Sequence, residues 1–241
     1  MSAYLAEFIG TTILILLGNG VVANVVLDKT YGKDSGLIVI AFGWAIAVFA
    51  GVFICTSAGG LGHLNPAVTI GMAVSGGFSW SLVPGYIIAQ MLGAMLGTSL
   101  VWMMYRPHYE ATTDAAGIKS TFCNAPAIPS TFSNVLSEVL GTFVLVYGAF
   151  HIVGATVGGQ AASLGAIDAL PIALVVLGIG VALGGTTGYA INPARDLGPR
   201  IMHAILPISN KGGNGWGYAW IPVVGPLVGG VLAALVKMYI V

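Results

Sequence analysis

The sequence predicts an all-α membrane protein with six transmembrane helices and two re-entrant half-helices, arranged as an inverted repeat. The first reason is composition: 57% of the 241 residues are hydrophobic and only 7% are charged, whereas soluble domains carry roughly 25% charged residues. The second reason is the tripeptide Asn-Pro-Ala, which occurs once in each half, at residues 65–67 and 192–194. The formal net charge of zero gives no indication of a nucleic-acid partner.

Six stretches have the roughly 20 mostly apolar residues that a membrane-spanning helix needs. They are residues 4–27, 37–58, 84–105, 134–157, 168–187 and 218–240. The first stretch has no basic residues before it and is too long for the core of a signal peptide, so we expect it to be a retained span. The polar segments 28–36, 106–133 and 206–217 are predicted to be surface loops.

Two further apolar stretches, residues 59–78 and 188–205, each contain one Asn-Pro-Ala. Each is too short and too rich in glycine and proline to span a membrane alone, and they follow the second and the fifth span. Such segments can enter a membrane and turn back only where they pack in protein or line a water-filled cavity. We therefore expect two half-helices there.

An internal repeat relates the two halves of the chain. The segment AEFIGTTILILLG (Ala6–Gly18) resembles SEVLGTFVLVYGA (Ser137–Ala149), which aligns Glu7 with Glu138. The repeats cover approximately residues 1–120 and 130–241 of a single channel domain, 1–241. Because each repeat holds three spans, the second must be inverted, and inverted repeats place the functional site near the midplane.

The repeated tripeptide has a specific chemistry at a helix start. Pro66 and Pro193 suit the first helical position, where no backbone donor is needed. Asn65 and Asn192 then occupy the N-cap, with the side-chain oxygen on the helix and the amide NH2 turned outward. Two helix N-termini that meet at mid-membrane concentrate partial positive charge, which repels cations and obstructs proton transfer along a water file. Ala67 and Ala194 complete the two tripeptides.

The chain resembles the aquaporins, the major intrinsic protein family, over essentially its whole length. The resemblance rests on HLNPAVT, NPARDLGPR, the pair AEFIGT and SEVLGT, and GYIIAQMLGAMLG. Asp196, directly after Asn-Pro-Ala-Arg, is typical of the glycerol facilitator (aquaglyceroporin) branch. The resemblance implies a passive channel for glycerol and other small uncharged solutes that also passes water and excludes protons and ions.

The resemblance further implies a selectivity filter made of Trp44, Gly180, Tyr189 and Arg195. A buried Arg195 is costly unless it faces water or a partner, and its guanidinium can donate two parallel hydrogen bonds to adjacent hydroxyls. Trp44 and Tyr189 would form an apolar corner for a carbon backbone, and Gly180 leaves space. Most glycerol facilitators have Phe at position 189, so the Tyr hydroxyl weakens the expectation of a strict glycerol preference.

Trp44 is assigned to the filter across an insertion of one residue before HLNPA, so Phe42 and Ala45 are alternatives. Two ladders of backbone carbonyls are expected to lead to the asparagines, and glycine permits their extended shape. The carbonyls belong to Leu61, Gly62, His63, Leu64, Gly188, Tyr189 and Ala190. The ring of His63 either lines the pore or makes a structural hydrogen bond.

Four charged residues are expected to be structural. By resemblance, Glu7 and Glu138 are buried braces that accept hydrogen bonds from the segment before each asparagine. Asp196 and Arg200, spaced i,i+4, are expected to pair and to hold the outer loop that presents Arg195.

No catalytic triad, metal cluster or phosphate loop has usable spacing, so we expect no enzyme activity, no cofactor and no metal. Cys55 and Cys123 form no readable framework, and two unpaired thiols are expected. The resemblance implies a multi-pass protein of the cell membrane, a homotetramer with both termini cytoplasmic. The Lys/Arg count opposes that orientation, because Lys237 alone lies on the terminal side.

Alternative functions use the same features. The inverted repeat and the broken helices would also suit a secondary transporter, and a non-conducting structural membrane protein would need no intact filter. A channel mainly for water, undissociated lactic acid, dihydroxyacetone, urea or hydrogen peroxide would need a similar bore. The sequence does not rank these solutes.

Overall fold

The computed structural model describes residues 1–157 and 159–240. The α-helices are α1 (Ala3–Val26), α2 (Leu37–Ser57), α3 (Pro66–Val74), α4 (Val83–Ala111), α5 (Ala115–Ser120), α6 (Thr131–His151), α7 (Leu170–Leu183), α8 (Pro193–Ile205) and α9 (Ile221–Ile240). Short 3-10 helices at Trp80–Leu82 and Gly165–Ala169 precede α4 and α7. A two-stranded antiparallel hairpin, β1 (Thr156–Val157) and β2 (Gln160–Ala161), follows α6.

The six predicted spans are confirmed as six helices that are long and apolar enough to cross a membrane. They are α1, α2, α4 with its preceding 3-10 turn, α6, α7 with its preceding 3-10 turn, and α9. The short helices α3 and α8 fit the predicted half-helices, and each begins at the proline of an Asn-Pro-Ala.

The two halves pack alike. Helix α1 packs against α2 and α4, as α6 packs against α7 and α9. Close helix approach depends on glycine at equivalent crossings: a Cβ on Gly93 would lie 2.5 Å from the carbonyl oxygen of Phe8, and one on Gly229 would overlap the carbonyl oxygen of Val139. Each half-helix packs on the other half, α3 on α9 and α8 on α4. The halves are therefore interlocked.

Two predicted boundaries differ most from the structure. The fourth span ends at His151, not at residue 157, because the glycine-rich stretch after it turns into the hairpin. The third span continues to Ala111 instead of ending at 105, so residues 106–111 belong to a helix. Arg106 and Glu110 form an ion pair there at 3.2 Å on an exposed helical turn. The polar sequence of residues 106–111 was therefore not sufficient to predict a loop.

Candidate functional site

The half-helices meet at their N-termini through crossed hydrogen bonds. The Oδ1 of Asn65 accepts from Ala67 N at 2.8 Å, while its Nδ2 donates to Ile191 O at 2.8 Å. Asn192 mirrors this arrangement: its Oδ1 accepts from Ala194 N at 3.0 Å, and its Nδ2 donates to Leu64 O at 2.9 Å. Each amide NH2 carries two hydrogens, so one secures the opposite half and the second is available to a molecule between them.

The segment before each asparagine is held by a fully buried carboxylate. The two oxygens of Glu7 accept from the backbone N–H groups of His63 and Leu64, both at 2.8 Å. The two oxygens of Glu138 accept from Ala190 N at 3.0 Å and Ile191 N at 2.8 Å. The carboxylates thus bind the same two positions in each repeat, one and two residues before the asparagine.

These hydrogen bonds stabilise an unfavourable backbone. Leu64 and Ile191, the residues before the two asparagines, have φ of 51° and 44°, and Tyr189 has φ of 40°. Left-handed backbone at residues other than glycine costs about 1–3 kcal/mol each. Charge-assisted hydrogen bonds to a buried carboxylate are strong enough to offset such costs. The strain turns the carbonyls of Leu64 and Ile191 toward the amides of the opposite half.

A cavity of about 260 Å³ lies at this junction. Asn65, Asn192 and Arg195 line it. One face of α2 also lines it, at positions 44, 48 and 52, which is roughly 12 Å along the helix axis. The rest of the lining is mainly apolar: Leu14, Leu61, Leu64, Val68, Met72, Leu145, Ala149, Ile152, Ile172, Val176, Tyr189, Ala190 and Ile191, with Gly62 and His63. The cavity is a long apolar channel with polar groups at few points.

The predicted filter residues come together at Arg195. Its guanidinium carbon lies 4.2 Å from the centre of the Trp44 ring. The Arg195 side chain is 6% exposed, and within the described chain no acceptor bonds it; its Nη1 is buried without a partner. Because Arg195 lines the cavity and its side chain donates to no acceptor of the described chain, those guanidinium donors that reach the cavity are available to hydroxyl oxygens there. Of the alternatives to Trp44, Phe42 is 53% exposed on the outer surface of the protein.

Neither Gly180 nor Gly188 is among the residues that line the cavity. The space beside Gly180 is taken by the Tyr189 ring, since a Cβ there would lie 2.9 Å from the Tyr189 Cζ. Gly188 instead backs onto Asn124, whose Nδ2 would be 3.0 Å from its Cβ. The Tyr189 hydroxyl is buried and without a partner in the described chain, and Tyr189 is among the residues that line the cavity.

Asp196 and Arg200 form a buried pair, with Nη2 and Oδ1 2.8 Å apart. The second carboxylate oxygen of Asp196 accepts from Asn124 N at 2.7 Å, and Arg200 donates to the carbonyls of Asn124, Asn214 and Gly215. The pair thus joins α8 to the loops before α6 and before α9. These contacts surround the helical turn that carries Arg195.

Sequence reasoning missed several residues that contribute to the site. The carbonyl of Ile191, which the predicted ladder did not include, is the counterpart of the Leu64 carbonyl. Gln90 donates to both Glu7 Oε2, at 2.9 Å, and Thr69 Oγ1, at 3.0 Å. Gln90 lies within the motif GYIIAQMLGAMLG, so a polar residue inside an apolar span was the available signal. His63 is among the residues that line the cavity, and its Nδ1 also lies 3.2 Å from Thr69 Oγ1.

Six candidate membrane spans around a cavity at the junction of two half-helices define the class of this protein: it is a membrane channel. Residues 1–237 match the model of the major intrinsic protein family, and the chain belongs to this family.

Relatives cover nearly the whole chain. A glycerol uptake facilitator protein of Streptococcus pneumoniae is 56% identical over 236 residues, 98% of each chain. A probable glycerol uptake facilitator protein of Thermotoga maritima is 49% identical over 234 residues, 97% of each chain. The X-ray structure of the aquaglyceroporin from Plasmodium falciparum superimposes with a TM-score of 0.85 at 29% identity, covering 99% of this chain and 95% of that one.

Proposed function

We propose that the protein is a passive channel for glycerol and other small uncharged solutes, that it also passes water, and that it excludes protons and ions. The observation that carries this proposal is the contrast at the filter. Arg195 offers unpaired donors on one side, and the rings of Trp44 and Tyr189 offer apolar surface on the other. A linear polyol has hydroxyls along one edge and a carbon backbone along the other, which matches both walls.

The asparagine pair supports selection against ions. Asn65 and Asn192 cap two helices whose positive dipole ends point at the same part of the cavity. Each amide has a hydrogen left for a passing oxygen, so a water or a hydroxyl is oriented as an acceptor there. A cation meets repulsion at this point, and the water file cannot pass a proton readily.

A coupled transporter is the less well supported alternative. Such a mechanism needs ligands for a coupling ion near the midplane. Both oxygens of Glu7 and of Glu138 already accept backbone hydrogen bonds, and Asp196 pairs with Arg200. This supports a structural role for all three carboxylates and for Arg200.

We further propose a multi-pass cell-membrane protein that assembles as a homotetramer with one pore per subunit and with both termini in the cytoplasm. The family to which the chain belongs supports the membrane location. Proton and ion exclusion, assembly and orientation each need their own measurement.

Stopped-flow light scattering on proteoliposomes tests which solutes pass. We expect glycerol and water permeability well above that of empty liposomes, with no shift of internal pH when a proton gradient is imposed. Undissociated lactic acid, dihydroxyacetone, urea and hydrogen peroxide form the comparison panel. If glycerol permeability equals that of empty liposomes and a solute of the panel is conducted, that solute replaces glycerol as the proposed substrate.

A further inference from the structure

The Trp44 ring is seated in a gap that a glycine of another helix leaves open. A Cβ on Gly18 of α1 would overlap Cζ3, Cε3 and Cη2 of Trp44, with Cη2 only 2.5 Å away. These atoms belong to the six-membered ring of the indole. A methyl group at position 18 therefore cannot coexist with the present position of that ring.

Gly18 does not line the cavity, whereas Leu14, one turn earlier on α1, does. Trp44 fills the space between α1 and Arg195, whose guanidinium carbon is 4.2 Å from the ring centre. Because the same ring lines the cavity and lies against Arg195, we expect a ring displaced from α1 to intrude on the filter. The residue at position 18, which lies behind the Trp44 ring, thus determines how much of the cavity beside Arg195 remains open.

The internal repeat supports a local reason for this glycine. Gly18 aligns with Ala149 in the second repeat, where the methyl group faces the cavity. The position therefore accepts a methyl group where no indole lies against it. Glycine is required in the first repeat by the ring of Trp44.

Tyr189 is backed in the same way by α7 and the residue that ends it. A Cβ on Gly184 would meet the carbonyl oxygen of Gly180 and would lie 2.5 Å from the Tyr189 Cδ1, and one on Gly180 would lie 2.9 Å from the Tyr189 Cζ. The backbone of Tyr189, with φ of 40°, has little freedom to yield. Both aromatic rings of the filter therefore occupy space that the absence of a glycine side chain leaves open.

We propose that Gly18 and Gly184 are positioning residues that set the width of the filter from behind, without touching the solute. Gly18 holds the Trp44 ring back from Arg195, and Gly184 does the same for the Tyr189 ring. This inference rests on the proposed glycerol channel, because a wider solute than water is what the added width admits.

The test is Gly18→Ala, measured as glycerol and water permeability per reconstituted channel. We expect glycerol permeability to fall about tenfold and water permeability by less than about twofold, because the displaced ring narrows the opening. Trp44→Phe removes the atoms that the methyl group would strike. The double variant Gly18→Ala/Trp44→Phe should therefore have the same glycerol-to-water ratio as Trp44→Phe alone.

Gly43→Ala is the matched control. Gly43 lies in the same α1–α2 contact and is also crowded, but a Cβ there would meet the side chain of Val21 at 2.6 Å and not a filter ring. We expect its glycerol-to-water ratio to equal that of the unmodified protein. An unchanged ratio in Gly18→Ala, or a shift as large in Gly43→Ala, would overturn the inference.

Two further outcomes are decisive. If Gly18→Ala does not assemble, equal ratios in Trp44→Phe and the double variant support the inference, and different ratios contradict it. If the unmodified protein conducts water but no glycerol, the proposed function fails on its own. The inference is then decided by whether Gly18→Ala lowers water permeability and Trp44→Phe removes that effect.

Discussion

Glu138 illustrates at the residue scale how a membrane carboxylate can serve structure. It is fully buried, and besides the N–H groups of Ala190 and Ile191 it accepts from Thr187 Oγ1 at 2.7 Å. Three donors aimed at one carboxylate satisfy the charge locally. The residue fixes the carbonyl of Ile191 against Asn65, and through it the geometry at the centre of the cavity.

Glu138→Gln tests this brace. Glutamine keeps the size of the side chain but supplies one acceptor oxygen and sets an NH2 against a backbone N–H. We expect a loss of about 1–3 kcal/mol in stability, since a buried donor is left unsatisfied. Thermal unfolding of the detergent-solubilised protein measures it.

Glu110→Gln is the control for that substitution. Glu110 pairs with Arg106 on an exposed turn, and exposed pairs contribute about 0–1 kcal/mol. Equal unfolding temperatures for the two variants would show that Glu138 does not brace the segment before Asn192.

Sequence reasoning was effective at this scale where a residue type has few roles. Asn-Pro-Ala marks a capped helix start wherever it stands, and both copies have that geometry. The surroundings of Gly180 were harder to predict, because a glycine has no side chain whose chemistry indicates what lies beside it. Only the fold reveals that the Tyr189 ring lies there.

At the scale of elements, α8 shows how two loops and a half-helix become one unit. The Asp196–Arg200 pair lies within the first two turns of α8 and is hydrogen-bonded to Asn124 in one loop and Asn214 in the other. The acid near the helix N-terminus also suits the dipole. The i,i+4 spacing predicted the pair, but Asn124 and Asn214 could not be predicted, because their loops carry no periodic pattern.

The fourth span shows a related limit. Hydrophobicity predicts that a segment is buried in protein or lipid, but it does not mark where a helix ends. Residues 152–157 are as apolar as the helix before them, yet a hairpin forms there, with Gly159 at a φ of 81°. Element boundaries were therefore less predictable than element number.

For the whole molecule, two of the lysines that count against the proposed orientation have structural partners. Lys211 donates to the carbonyls of His203, Ala204 and Leu206, which terminate α8. Lys33 donates to Val26 O at the end of α1. Both lysines thus bind carbonyls that a helix C-terminus leaves free. These two residues therefore contribute to folding, whatever the orientation of the chain.

Orientation can be measured with single introduced cysteines. Thr113→Cys, on the lysine-bearing face, should react with a membrane-impermeant maleimide on intact cells, and Ser81→Cys, on the terminal face, should react only after lysis. Both positions are exposed. The reverse pattern would place both termini outside.

The native thiols do not interfere with that measurement. Cys55 and Cys123 are both fully buried and free. Burial raises the pKa of Cys123 to about 12, so at neutral pH this thiol stays protonated, and the thiolate is the reactive form. Labelling of the unmodified protein is the control, and we expect none.

The central claim is passive passage of glycerol through the cavity beside Arg195. Its most direct test is the dependence of glycerol influx into proteoliposomes on the glycerol gradient, with and without proton and sodium gradients. A passive channel predicts flux that rises in proportion to the gradient and ignores both ions. Flux that saturates and requires an ion gradient, or no flux above empty liposomes, would contradict it.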